Sequence, residues 1–242
     1  MDSASLLASL AADGTALADA AEGHLDSRVP PCPDWTVADL VSHVGRVQRW
    51  VSATVAAGGA RVGFPDASSV PDDRDALVGW YRDVLAELIQ ALSVDPETPA
   101  WTFSSAAPAN VGWWLQRQAL ETAVHRFDSQ TASRPHPDPI GAELAVTGID
   151  ELIIQFLPRL AQIEELKGTF HLHATDVPGE WWLDFDAPGL AARREHAKAD
   201  TAVRGPASGL YLWMWNRQSP EDAGLEVFGR TETVAAWRSV TI

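Results

Sequence analysis

The chain has 242 residues, with 18 Lys and Arg against 33 Asp and Glu, a formal charge of −15, one cysteine and 11 tryptophans. That acidic balance argues against an electrostatic grip on DNA, RNA or an anionic bilayer, which needs clustered Lys and Arg, and the lone cysteine excludes an intrachain disulfide framework and fits a reducing, cytoplasmic compartment. At ~150 residues per domain the length fits one large or two smaller domains, and a 46% hydrophobic content is enough to build cores.

The opening MDSASLLASLAADG has no basic n-region, and apolar stretches such as ELIIQFLPRL are shorter than the ~20 residues that span a bilayer, so neither export nor membrane insertion is expected. No GxxxxGK[ST] loop or GxGxxG turn occurs, which leaves nucleotide phosphates without a recognisable cradle.

Five helices are predicted over the first two thirds. The first, about 3–26, carries Leu6, Leu7, Leu10, Leu17 and Leu25 on a 3.6-residue period, with Gly14 as a weak point. The prolines of VPPCPDW stop it. Thr36 and Asp39 then form an [ST]-x-x-[DE] capping box that opens a second helix of about 20 residues, lined by Val37, Leu40, Val41, Val44, Val47 and Val51. After a Gly/Ser/Pro-bearing stretch, a third helix is expected at about 73–93 and a fourth at about 111–131. The loop RPHPDP precedes a fifth at about 141–164, with a broad apolar face and Pro158 as a potential kink. The simplest packing is an up-and-down bundle.

Beyond Gly168 the period falls to 2 in TFHLHATD and EWWLDFD, with PGE as the turn between them. This places a domain boundary near residue 165, giving a bundle over 1–164 and a small α+β domain over 165–242. TAVRG and LEVFG read as strands, and ASGLYLWMWNR and ETVAAWRS as helices. A unit of that size is expected to pack against the bundle rather than swing freely.

Chemistry concentrates on the fourth helix, where Trp114, Gln118, Glu121, His125 and Asp128 share one stripe at ~100° per residue. Glu121 and His125 are i and i+4, so their side chains are neighbours and suit two ligands of one ion; a solvated surface pair has the same spacing. His43 falls at the edge of the second helix's apolar stripe, beside Trp50, where a cleft would open.

The segment VPPCPDWTVADLVSHVGRVQRWV, together with LETAVHRFD, resembles the paired signature of the mycothiol-dependent maleylpyruvate isomerase family. These are actinobacterial proteins with a DinB-like helical bundle followed by a small sterol-carrier-like domain. HLHATDVPGEWWL and ADTAVRGPASGLYLWMWNR resemble that family's C-terminal domain, so the similarity spans nearly the whole chain in order. The resemblance implies an α+β chain: a DinB-like up-and-down four-helix bundle with an extra helix, expected to be the third, then a small α/β domain. It also implies a zinc ion held by His43, Glu121 and His125.

Three protein ligands leave an open position, as in catalytic zinc sites. The family implies mycothiol activated there as a thiolate for attack on a small electrophile. The isomerase route is conjugate addition to a cis double bond, rotation and elimination; a transferase stops after addition or displacement. An arginine pairing with a substrate carboxylate is expected at Arg217 rather than Arg204, although a helix-end arginine on terminal carbonyls explains Arg217 equally well. Asn216 stands where glycine is expected beside it. Asp128 is a candidate acceptor for the His125 ring, and Trp114 a candidate wall of the site.

His171 and His173 point the same way on a predicted strand, and an exposed strand face explains them better than a second metal. Cys32 has no dedicated His partner, so the attacking thiol is expected to arrive as a cofactor. Competing readings are a hydrolase acting through zinc-bound water and a non-catalytic metal- or ligand-binding module. No nucleic-acid or membrane partner is expected, and a monomer is the default.

Overall fold

Helices build the first of two units in the computed structural model, which describes residues 1–160, 163 and 165–240. Helix α1 spans Ser3–Ala21, α2 Val37–Ala56, α3 Leu77–Leu92 and α4 Val111–Ser133. The starts of α1, α2 and α4 follow from side-chain capping. Asp2 accepts from the Ser5 amide, and Asn110 accepts from that of Trp113. At α2 the capping box closes in both directions, the Asp39 amide donating to Thr36 Oγ1 (3.3 Å) and the Thr36 amide to Asp39 Oδ2 (2.8 Å). The proline segment before α2 is not a plain loop: Arg28–Val29 (β1) pairs antiparallel with Cys32–Thr36 (β2).

The four helices form a ring in which α1 packs on α4 and α3, and α2 packs on the same two. The links from α1 to α2 and from α3 to α4 therefore cross to diagonal positions. Two glycines explain why α3 sits inside this ring. A Cβ on Gly14 would strike Leu85, and one on Gly45 would strike the Trp80 ring, so both positions let α3 approach α1 and α2 closely. Helix α3 is one of the four, and the expectation that it is the extra element is corrected. Gly14 is a packing contact rather than a weak point.

The division into compact units falls between Asp138 and Pro139, inside the RPHPDP loop, and not near residue 165. The fifth helix consequently belongs to the second unit. It runs as α5 over Ala142–Glu151 and packs on α6, Ala207–Met214. Beyond Glu151 the ladder widens into a π turn over Leu152–Phe156, closed by the Leu157 amide on the Leu152 carbonyl, and ends in a 3-10 turn at Leu157–Arg159. Pro158 supplies the cause, because it lacks a donor and its ring crowds the carbonyl four residues earlier. The expected helix end at residue 164 lies outside the described residues.

The rest of the second unit is a five-stranded sheet in the order β5-β4-β3-β6-β7: Thr169–Ala174 (β3), Glu180–Asp184 (β4), Ala191–Arg193 (β5), Thr201–Gly205 (β6) and Glu226–Gly229 (β7). Only β3 and β6 run parallel. Buried Phe170, Leu172, Leu183 and Val203 face the core with Trp213 and Trp237. A last helix, α7, spans Thr231–Ala236. Among the described residues no helix is long and apolar enough to cross a membrane.

The contact of α5 with α6 is tight at one point, where a Cβ on Gly148 would overlap the fully buried Tyr211 ring. Gly148→Ala is expected to lower stability by about 1–3 kcal/mol through overpacking, outweighing a helix-propensity gain of at most ~1 kcal/mol. Thermal unfolding checks this, and a melting temperature at or above that of the parent would show that Tyr211 yields.

Candidate metal centre

Two helices and a hairpin end assemble the site. The capping box fixes the start of α2, and His43 follows two turns later at the side of its buried stripe. On α4, Glu121 and His125 stand one turn apart and face α2. Nearly all of α4 is buried, including the polar side chains of Arg117, Gln118, Thr122, Arg126 and Asp128. A helix so enclosed must satisfy its polar groups internally. Arg126, for instance, reaches Asp13 of α1 at 3.0 Å and Gln130 at 2.8 Å.

Three ligating atoms converge. Glu121 Oε1 lies 3.6 Å from His43 Nε2 and 3.3 Å from His125 Nε2, and the two rings are 5.3 Å apart between centroids in an edge-on arrangement. The other carboxylate oxygen, Oε2, accepts from Arg117 Nη2 at 2.6 Å. Arg117 thus holds one oxygen and leaves the other for the cluster. His125 Nδ1 lies 2.9 Å from Asp128 Oδ2, and since a carboxylate can only accept, Nδ1 carries a proton and Nε2 is the ring atom turned to the cluster, where it offers a lone pair once its own proton is displaced. The Trp35 ring from β2 covers both imidazoles, 4.9 Å from His43 and 6.4 Å from His125. His43 has the most accessible side chain of the three, 36% exposed, so the cluster opens to solvent on its side.

Electrostatics bind these groups together. Burial alone would raise the Glu121 pKa, but hydrogen bonding to His125 and His43 and the charge of Arg117 hold it well below the usual carboxylate range. Burial alone would lower that of His125; the carboxylates of Asp128 and Glu121 outweigh it and push it up to about 9.

The other expected residues are placed as follows. Asp128 is fully buried with its Oδ2 on the His125 ring, the place expected of an acceptor for that imidazole. Trp114 is 1% exposed, donates to the Trp101 carbonyl, and packs edge-on against Trp50, Trp113 and Phe103. Its expected place as a site wall gives way to core packing, because a side chain so enclosed has little surface to offer a ligand. Arg217 belongs to the second unit, just past the end of α6, where its Nη1 donates to the Trp215 carbonyl at 2.8 Å. The expected glycine conformation at Asn216 is present: φ is +57°, the Asn216 and Arg217 amides close a Schellman cap on Trp213 and Leu212, and Nδ2 donates to the Val240 carbonyl. Arg204 pairs with Glu226 at 3.2 Å. Cys32 lies in β2 and is not among the clustered ligand atoms. Arg117 and Trp35 were not anticipated. Arg117 was legible as the i−4 neighbour of Glu121, whereas Trp35 had no local signal.

Two family models match the chain in succession, the mycothiol maleylpyruvate isomerase N-terminal domain over residues 6–130 and the corresponding C-terminal domain over 143–236. The matched stretches meet across the RPHPDP loop. No curated protein sequence matches significantly. Among solved structures, a mutant of the mycothiol-dependent maleylpyruvate isomerase superposes with a TM-score of 0.62 at 14% identity, covering 90% of this chain and 91% of the other. A double mutant of a sec-alkyl sulfatase aligns over 83% of this chain and 32% of its own at 16% identity, but its TM-score of 0.32 carries no structural meaning.

Because Asp128 sets the His125 ring through its Nδ1, Asp128→Asn is expected to weaken the affinity of this cluster for a divalent ion by about 10–100-fold while leaving helicity unchanged. Chelator competition with circular dichroism checks this. Unaltered affinity would mean that the Asp128 contact has no hold on the ligand.

Proposed function

The chain belongs to the mycothiol maleylpyruvate isomerase family, and from that premise we propose that it is a zinc-dependent enzyme using mycothiol on a small electrophile, as a cis–trans isomerase of the maleylpyruvate type or a thiol S-transferase. The observation that carries the reading is the convergence of His43, Glu121 and His125. Ligand atoms at ~2.0–2.2 Å from a tetrahedral ion stand ~3.3–3.6 Å from one another. His125 Nε2 and His43 Nε2 lie 3.3 and 3.6 Å from Glu121 Oε1, which supports a zinc-sized ion between them.

A zinc ion held there would supply the charge that keeps a coordinated thiol deprotonated at neutral pH. The protein's part is to prepare that position. Two neutral imidazoles and one carboxylate contribute a single negative charge, so a dication held there would keep a net positive charge and attract an anion. Arg117 keeps Glu121 ionised and fixed through Oε2, and Asp128 holds the Nδ1 proton of His125. Trp35 covers the imidazoles on one side and excludes water there. Since Cys32 is outside the cluster, the nucleophilic sulfur is supplied from solution.

Glu121→Ala and His125→Ala should each lower bound zinc by about one ion per chain and abolish turnover, with metal analysis and a mycothiol-dependent assay as the readouts. Unchanged zinc in both variants would overturn the ligand assignment. Equal turnover without any thiol would overturn the mycothiol reading and favour hydrolysis through metal-bound water.

A further inference from the structure

A second convergence of ligating groups lies in the second unit, apart from anything the proposed chemistry uses. Strand β3 directs His171 and His173 to one face, two residues apart. The antiparallel register sets His173 opposite Glu180 of β4. The segment 194–200, between β5 and β6, brings His196 to the same carboxylate. Glu180 Oε2 lies 2.8 Å from His171 Nε2 and 2.6 Å from His196 Nδ1, and Oε1 lies 3.6 Å from His173 Nδ1. The rings of His171 and His196 are 4.9 Å apart between centroids, and the four donor atoms lie within 4.8 Å of one another.

Exposure of the strand face does not account for this arrangement. His171 is only 7% exposed, which corrects the expectation for that residue, while the His173 side chain keeps 38% of its surface open. Three of the chain's seven histidines meet here, brought by β3 and by a segment beyond β5. A lone carboxylate needs one imidazole partner at most; three rings around it leave two more nitrogens aimed at the same small volume than its charge requires.

We propose that His171, His173, His196 and Glu180 form a second binding site, for a first-row transition-metal dication such as zinc. Imidazole nitrogen suits zinc, nickel, cobalt and copper, whereas calcium and magnesium prefer all-oxygen shells. Four protein donors would complete a tetrahedron, the pattern of a closed rather than a catalytic zinc site, once the 2.8 and 2.6 Å hydrogen-bond separations of Glu180 from His171 and His196 open to the ~3.3 Å that ligands of one ion keep. Its work is then to tie β3, β4 and the 194–200 segment together, stabilising the second unit.

The test uses the full-length chain with zinc alone as the probe and Glu121→Ala to silence the centre on α2 and α4. His196 is 75% exposed at its side chain, so His196→Ala removes a ligand with little risk to folding. The Glu121→Ala protein should bind about one zinc per chain, and Glu121→Ala/His196→Ala should bind it at least ~100-fold more weakly. Cobalt in the former should give the visible absorption of a tetrahedral ion, lost in the latter. With the first centre intact, His196→Ala alone should lower the zinc content by about one ion, so the result does not depend on how Glu121→Ala folds. Equal zinc affinity with and without His196, or no zinc bound by Glu121→Ala, would overturn the site and leave Glu180 as an ion-pair acceptor only.

Discussion

The first unit is organised around the cost of holding a carboxylate inside a helical bundle. An ionised carboxyl withdrawn from water is tolerated only when its charge and lone pairs are answered locally. Glu121 is answered by Arg117 on one oxygen and by two imidazoles on the other. Asp128 adds a second buried negative charge about two turns further along α4, paired to His125. The carboxylates of Asp128 and Glu121 outweigh burial and raise the His125 pKa to about 9, so without an ion that ring holds a second proton between them. A dication would take over the same electrostatic role. On the proposed reading, proton and ion are alternatives for one position.

That requirement extends outward through α4. A helix buried on nearly every side cannot end its polar groups in water, so Arg126 reaches across to Asp13, and Gln130 and Arg134 gather on Asp138 where the unit closes. The RPHPDP loop begins at the last of these contacts, and the chain passes there into a second unit with its own core. Helix α5 joins that unit because its small residue, Gly148, accepts the Tyr211 ring of α6. The change of hydrophobic period near residue 168 marks where strands begin, which is a different event from where one core stops and another starts.

Local signals were therefore legible and nonlocal ones were not. Thr36 and Asp39 announced the start of α2, and the i,i+4 spacing of Glu121 and His125 announced a shared face. The identity of His43 as the third member required the resemblance, since nothing in its own helix points to α4. Trp35 was hidden because the prolines around Cys32 read as a break, whereas the backbone pairs as β1 and β2 through it. The length of the fifth helix was overestimated because its apolar period continues through Pro158 while its hydrogen bonding does not. Asn216 was legible as a departure from glycine, and its φ of +57° explains how asparagine serves there.

The histidines of β3 show the limit most clearly. Their i,i+2 spacing gave their common direction and nothing more. Whether that face is exposed depends on which residue of β4 stands opposite, and on what the segment beyond β5 lays across it. Register sets Glu180 against His173, and His196 arrives from a stretch without regular structure. The two clusters then differ in a way that follows from their scaffolds. Facing helices α2 and α4 bring His43 to a Glu121–His125 pair at helical spacing and leave His43 at an accessible rim, so the proposed centre would keep one side open. A pleated strand pair with a segment laid over it offers donors from several directions, and four of them close around the same point. Openness in one and closure in the other are set by backbone geometry before any substrate is considered.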